Sequence, residues 1–147
     1  MSNRSKKETV LFYYTEIVDY GKLILLDETH AEDCVVHRPE ELDPIVGREA
    51  FKHVMGNFLN IYEELESTVH NLVEDDNFVA TRASHVARPR VAWPSRIGSH
   101  DVSGKTVRWN SQAQFSFRDG KIVEEWISRD ELGMLIDLEI LNRRVDS

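Results

Sequence analysis

Thr106-Val107-Arg108-Trp109-Asn110-Ser111-Gln112-Ala113-Gln114-Phe115-Ser116-Phe117-Arg118-Asp119-Gly120-Lys121-Ile122-Val123-Glu124-Glu125-Trp126-Ile127 is the stretch whose reading decides the architecture. Val107, Trp109, Ala113, Phe115 and Phe117 alternate with Arg108, Asn110, Gln112, Gln114 and Ser116. A period of two gives a strand with one apolar and one polar face. Arg118-Asp119-Gly120 turns the chain back into a second strand. A two-residue Asp-Gly loop would set Gln114 beside Glu125 and Gln112 beside Ile127. A three-residue loop with Gly120 in a bulge would set Phe115 beside Val123, Ala113 beside Glu125 and Ser111 beside Ile127. Only the second groups the apolar residues on one face, so the bulged turn is predicted. Glu125 is then the one formal charge on an apolar face that helices should cover, and it should be at least partly buried.

Working outward, extended runs are predicted near Glu66–Val73, Phe78–Ala87, Thr106–Phe117 and Lys121–Ile127. In the second of these, Val79, Thr81, Ala83 and His85 share a face; if Arg82 points away from the core, His85 points into it. Upstream, Val10, Tyr14, Ile17, Val18, Gly21, Ile24 and Leu25 recur at three- and four-residue steps, predicting one amphipathic helix from Lys6 to Leu26. A short helical piece is expected near Thr29, with Thr29 and Asp33 as cap residues, then a brief extended segment Cys34–His37. Phe51, Val54, Met55, Phe58 and Tyr62 form the stripe of a helix over 48–63. Leu132, Leu135, Ile136 and Ile140 predict a last helix over 129–142, its start marked by Ser128 and Glu131 at capping-box spacing. Helices first and an antiparallel meander afterwards mean an α+β fold, helices packed on one face of a curved sheet.

Composition narrows the function. The chain has 147 residues, about one domain's worth, so 1–147 is expected to be a single domain. It carries 18 Lys and Arg against 26 Asp and Glu, a net charge of −8. That balance argues against phosphate-backbone binding to nucleic acid and against anionic membrane surfaces. No apolar run is long enough to span a bilayer, and the polar start does not read as a secretory leader. A cytoplasmic location is expected. Cys34 is the one cysteine, and the six histidines show no ligand spacing, so neither a disulfide nor a metal site is predicted.

Asp33-Cys-Val-Val-His-Arg-Pro39, Gly47-Arg-Glu-Ala-Phe-Lys52, Val73-Glu-Asp-Asp-Asn-Phe-Val-Ala-Thr-Arg82, Ser103-Gly-Lys-Thr-Val-Arg-Trp109, Phe117-Arg-Asp-Gly-Lys-Ile-Val-Glu-Glu-Trp126 and the Leu132-Gly-Met-Leu135 helix occur in an order that resembles the SnoaL-like polyketide cyclase family, within the nuclear-transport-factor-two-like superfamily. The resemblance implies a cone-shaped barrel of a strongly curved, mainly antiparallel sheet with helices on its concave face, commonly a homodimer. It implies cofactor-free acid–base chemistry on carbonyl compounds. By the Asp-Gly-Lys-Ile alignment, the family's acid/base aspartate falls at Ile127 and its companion histidine at Ala113, so that pair is absent. Many members carry histidine where this chain has Glu125.

The candidate catalytic residues are Glu125, His85 and His37. A carboxylate desolvated by apolar neighbours is pushed towards neutrality, as proton transfer needs. His85 could be its partner or a second acid/base, and His37 sits where the family lines its pocket. The plainer alternatives are an arginine- or tyrosine-bonded Glu125, a core His85 and a loop His37. Tyr14, Trp109, Ser111, Ala113, Phe115, Ile127 and Phe58 are the candidate substrate-lining residues. Asp33 and Asp130 read as cap or turn residues. Arg82, Arg88, Arg90, Arg96, Lys105 and Arg108 read as a solvated basic hairpin pairing across a dimer, or else as a rim attracting an anion. Arg88 to Lys105, with Trp93-Pro94, reads as a lid. The expected activity is a cyclase or isomerase working on a small carbonyl substrate without cofactor. The rivals are a dehydratase, lyase or epoxide hydrolase, or a non-catalytic binding or dimerisation module.

Overall fold

The computed structural model describes residues 3–145. Helix α1 (Lys6–Phe12) starts on a capping box between Ser5 and Glu8. It does not run regularly to Leu26. Tyr13–Val18 form a π-helical turn, in which Asp19 N–H reaches Tyr14 C=O at 3.0 Å, and Leu23–Leu25 form a 3-10 turn before α2 (Leu26–Thr29). The wider turn carries the consecutive residues Tyr13 and Tyr14 inward together, and such insertions recur at functional sites.

Strand β1 (His30–His37) begins earlier than the sequence predicts, and Asp33 lies in it, exposed and paired with Arg118, rather than capping a helix. A two-residue strand β2 (Ile45–Val46) leads to α3 (Arg48–Asn60), and Tyr62 already belongs to β3 (Tyr62–Asp75). Strand β4 (Phe78–Pro89), the short hairpin β5 (Trp93–Ser95) and β6 (Gly98–His100), β7 (Val107–Arg118) and β8 (Lys121–Arg129) follow. Helix α4 (Glu131–Asp137) is shorter than expected, because Arg129 and Ser128 are still strand. Its cap is Asp130, which accepts from Gly133 N–H, not Ser128, and Leu132 is exposed.

Six strands form one mixed sheet in the order β2-β1-β8-β7-β4-β3, with only β1 and β8 parallel. The β7–β8 register corrects the expectation. Asp119 (φ 53) and Gly120 (φ 79) make a two-residue turn with both central residues left-handed, the geometry whose twist suits a hairpin. Gln114 nevertheless does not face Glu125, since Val123 is an extra residue: Phe117 pairs with Ile122 but Ser116 with Glu124. The bulge restores the phase. Glu125 stands opposite Phe115, Ala113 opposite Ile127, and Ile122 and Glu125 both point inward. Glu125 reaches the apolar face as predicted, by a bulge in the strand rather than in the turn.

The helices lie on that face. Tyr13, Ile17, Phe51, Met55, Val79, Phe115 and Ile122 belong to one buried cluster. Tyr62, Trp93, Val107, Trp109, Met134 and Leu135 belong to a second, and Phe58 packs against both. Among the described residues no helix is long and apolar enough to cross a membrane.

Candidate active site

The cavity lies where the two clusters meet. An inner chamber of about 40 Å³ is walled by Tyr13, Tyr14, Arg38, Phe58, His85, Trp109, Ser111, Ile127 and Arg129, among others. An outer compartment of about 390 Å³ is lined by Glu40, Asn57, Phe58, Tyr62, Trp93, Arg96, Arg129 and Glu131, among others. Phe58 and Arg129 belong to both walls and form the neck. The outer volume suits a small molecule, whereas the inner one has room for a water or a single carbonyl group.

His85 projects from β4 into the chamber because it shares parity with Val79, Thr81 and Ala83, as the sequence predicts. Its ring lies over Trp109, centroids 5.0 Å apart, and 6.1 Å from Tyr14. Nε2 meets Ser111 Oγ at 2.8 Å and Nδ1 meets Ser67 Oγ at 2.8 Å. Burial, then the positive charges of Arg129 and Arg38, push its pKa down to about 4, so the imidazole is neutral at pH 7. Tyr14 bonds Thr81 Oγ1 at 3.0 Å, and burial pushes its hydroxyl up to about 12.

Glu125 is fully buried but lines neither compartment. His30 Nε2 lies 2.9 Å from Oε1, and the Tyr13 hydroxyl donates to Oε2 at 3.2 Å. His30 Nδ1 in turn meets Thr29 Oγ1 at 2.8 Å. The histidine beside Glu125 is therefore His30, not His85 or His37. Tyr13 stands between this cluster and the chamber, and burial together with Glu125 holds its hydroxyl well above the usual tyrosine value. Because Tyr13 also packs edge-on against Phe115 at 6.0 Å, Phe115 is core rather than cavity wall, and Ala113, buried in the same cluster, lines neither compartment. Of the expected lining residues, Tyr14, Trp109, Ser111, Ile127 and Phe58 reach the chamber.

His37 does not. It is half-exposed, bonded to Glu124 at 2.8 Å and stacked on Trp126 at 5.5 Å. The inward side chain is its neighbour Arg38, one residue past the end of β1, which keeps the parity of buried Cys34 and Val36. Arg38 Nε donates to Glu40 at 2.6 Å, and its guanidinium lies 4.8 Å from the centre of the Phe58 ring. Burial would lower Arg38, but Glu40, Tyr13 and Glu125 together outweigh it and keep the group charged. Arg129 keeps the same parity beyond Glu125 and Ile127. It bonds Glu40 at 3.1 Å, and its buried Nε has no hydrogen-bond partner. Alternation along β1 and β8 could have found both arginines. No local signal points to His30, Ser67 or Asp19.

Within the chain, three arginines of the basic segment have partners: Arg88 with Glu64, Arg90 with the Tyr62 carbonyl, Arg96 with Glu131. Of these only Arg96 reaches the cavity. The 88–105 loop holds the β5–β6 hairpin, tied down by Trp93 Nε1 donating to Tyr62 Oη at 3.0 Å. Among the described residues no three His, Cys, Asp or Glu side chains are placed to share a metal ion.

No curated protein matches the sequence. Among solved structures, the chain is similar to IdmH from Streptomyces antibioticus, at 24% identity and a TM-score of 0.78, covering 92% of this chain and 99% of that one. It resembles TsrD from Streptomyces laurentii at 19% identity and a TM-score of 0.77, covering 96% and 100%. A SnoaL-like polyketide cyclase from Agrobacterium tumefaciens matches at 14% identity and a TM-score of 0.72, covering 92% and 98%. At these identities the likeness speaks for the fold. The sequence itself matches the SnoaL-like polyketide cyclase family model over residues 8–138, and the chain belongs to that family.

Proposed function

We propose that the protein is a cofactor-independent acid–base enzyme, a cyclase or isomerase, acting on a polyketide-like or other cyclic carbonyl molecule. The observation that carries this reading is a neutral, buried His85 whose Nε2 meets Ser111 at the wall of a two-part cavity. The body of the substrate would occupy the outer compartment between Phe58, Tyr62 and Trp93, and its reacting carbonyl would enter the neck. The pair Ser111–His85 takes a proton from the carbon beside that carbonyl, leaving the electron pair as an enolate. Arg38, with the hydroxyl of Tyr14, faces the same chamber and would stabilise the enolate oxygen. An anion there offsets the charges that depress His85, so the base strengthens once substrate is bound. Glu125 and His30 hold Tyr13 in place from behind, through the hydroxyl that donates to Glu125, rather than touching substrate. The proposal includes a cone-shaped enclosure, a cytoplasmic location and a homodimer across the sheet face of Gln112, Gln114 and Trp126, the last testable by light scattering.

The test is hydrogen–deuterium exchange beside the carbonyl in a panel of cyclic and aromatic ketones, followed by NMR. The wild type should accelerate exchange in a ketone it binds, and His85→Gln should lose that acceleration while retaining affinity. Binding without acceleration in the wild type, or equal rates in both proteins, overturns the reading. The small inner chamber favours a second reading, a binding module whose ligand stays in the outer compartment, and binding without exchange would select it.

A further inference from the structure

Behind His85 runs a hydrogen-bond chain that leads away from the cavity. Ser67, on β3, stands opposite His85 on β4, and its Oγ meets His85 Nδ1 at 2.8 Å. The same hydroxyl donates to Asp19 Oδ1 at 2.6 Å, and Ser67 N–H donates to Asp19 Oδ2 at 2.9 Å. Asp19 closes the π-helical turn that supplies Tyr13 and Tyr14, and opens on a surface cleft with Tyr20, Leu59 and Arg90.

The directions of these bonds are not free. A hydroxyl has one proton, and an ionised carboxylate only accepts. With the Ser67 proton held by Asp19, Ser67 Oγ can only accept from His85, so the ring proton sits on Nδ1. Nε2 then carries a lone pair, and the Ser111 hydroxyl must donate to it. We propose that Asp19 and Ser67 are positioning residues that lock His85 in the Nδ1–H tautomer, so that the imidazole presents a proton acceptor to Ser111 at the cavity wall. With the opposite tautomer Nε2–H would donate, and the site would begin the reaction as an acid.

The lock rests on the reading of His85 as the proton acceptor only for its use, not for its existence. In the forward step Ser111 passes its proton to Nε2 as it takes one from the substrate carbon. The imidazolium keeps Nδ1–H on Ser67, and the proton returns by the same route. The charged and titratable groups around the ring are Arg129, Arg38 and Tyr14, and none of them bonds Nδ1.

Asp19→Asn gives a sharp test because the replacement is isosteric. The Ser67 backbone N–H needs an acceptor, so the amide must turn its oxygen there and its NH2 towards Ser67 Oγ. Ser67 must then donate to Nδ1, and the tautomer inverts. The experiment is 15N NMR of imidazole-labelled protein without ligand at pH 7. In the wild type the protonated nitrogen should be Nδ1; in Asp19→Asn it should be Nε2. Ser67→Ala should lose the preference, and Ser67→Thr, which keeps the hydroxyl, should restore it. A wild type protonated on Nε2, or an unchanged tautomer in both Asp19→Asn and Ser67→Ala, overturns the lock. Ketone exchange measured on the same variants separates the two ideas. An inverted tautomer with undiminished exchange leaves the lock standing and overturns His85 as the acceptor.

Discussion

Two buried polar clusters flank the same chamber, and they differ in one respect that decides what each can do. In the first, both Glu125 oxygens and both His30 nitrogens are bonded to protein, and neither residue lines the cavity. In the second, the His85–Ser111 pair lies at the cavity wall, with its remaining bonds leading back through Ser67 to Asp19. Both hold a histidine and a carboxylate. The first is saturated, so its natural role is to hold Tyr13 and the core in place. In the second both His85 nitrogens are bonded as well, but Ser111 Oγ, donating its proton to Nε2, keeps its lone pairs at the cavity wall where a ligand can approach. Burial alone does not distinguish a structural polar group from a working one, whereas the position of the accessible lone pair does.

The sharpest way to break this comparison is Glu125→Ala. It leaves His30 and the Tyr13 hydroxyl without their partner in a dry core, and removing one member of such a pair costs about 3–5 kcal/mol. Urea unfolding should show a lowered midpoint of that order. A loss below about 1 kcal/mol would mean that water or a rearranged Tyr13 satisfies the cluster, contrary to the saturation described.

The next effect belongs to the second cluster. His85 titrates near 4 when folded and near 6.5 when unfolded, so the unfolded chain binds the extra proton between those values. Stability from this group is complete above pH 6.5 and is lost as pH falls towards 4, by about 3 kcal/mol. Denaturation midpoints between pH 7 and 4 should fall less steeply in His85→Gln than in the wild type, and parallel slopes would contradict the burial of a neutral ring.

Ser111→Ala should cost less, about 1 kcal/mol, since the chamber has room for a water that can donate to Nε2 in place of the hydroxyl. A cost as large as that of Glu125→Ala would show that the second cluster is as sealed as the first. The smallest effect is electrostatic. Arg129→Gln removes the stronger of the two charges acting on His85 and should raise its pKa by about half a unit to one unit, leaving it below 6.5 because burial remains. Imidazole titration by NMR reads this directly.

Much of the fold was legible because strand and helix periods report which face a residue occupies. The alternation from Val107 to Phe117 marked the apolar face, and parity placed His85 inside. Applied as strictly to Cys34-Val35-Val36-His37-Arg38, the same rule sends Arg38 inward and His37 outward; the family analogy for His37 pulled against it. The first helix failed at Tyr13–Val18 because a π-helical turn leaves the apolar spacing nearly unchanged while shifting which residues face the core. The last helix began two residues late because Ser128 imitates a cap that Asp130 provides.

The sequence by itself determined the α+β order, the family, the burial of Glu125 and the inward course of His85, since each follows from composition, motif order or a local repeat. Only the tertiary structure decided who stands next to whom. His30 meets Glu125 across 95 residues of chain and Asp19 meets Ser67 across 48, distances over which no periodicity carries information. A bulge of one residue at Val123 and one widened helical turn set those meetings, because hydrogen bonds depend on ångström-scale placement, whereas hydrophobic patterning asks only which side is dry.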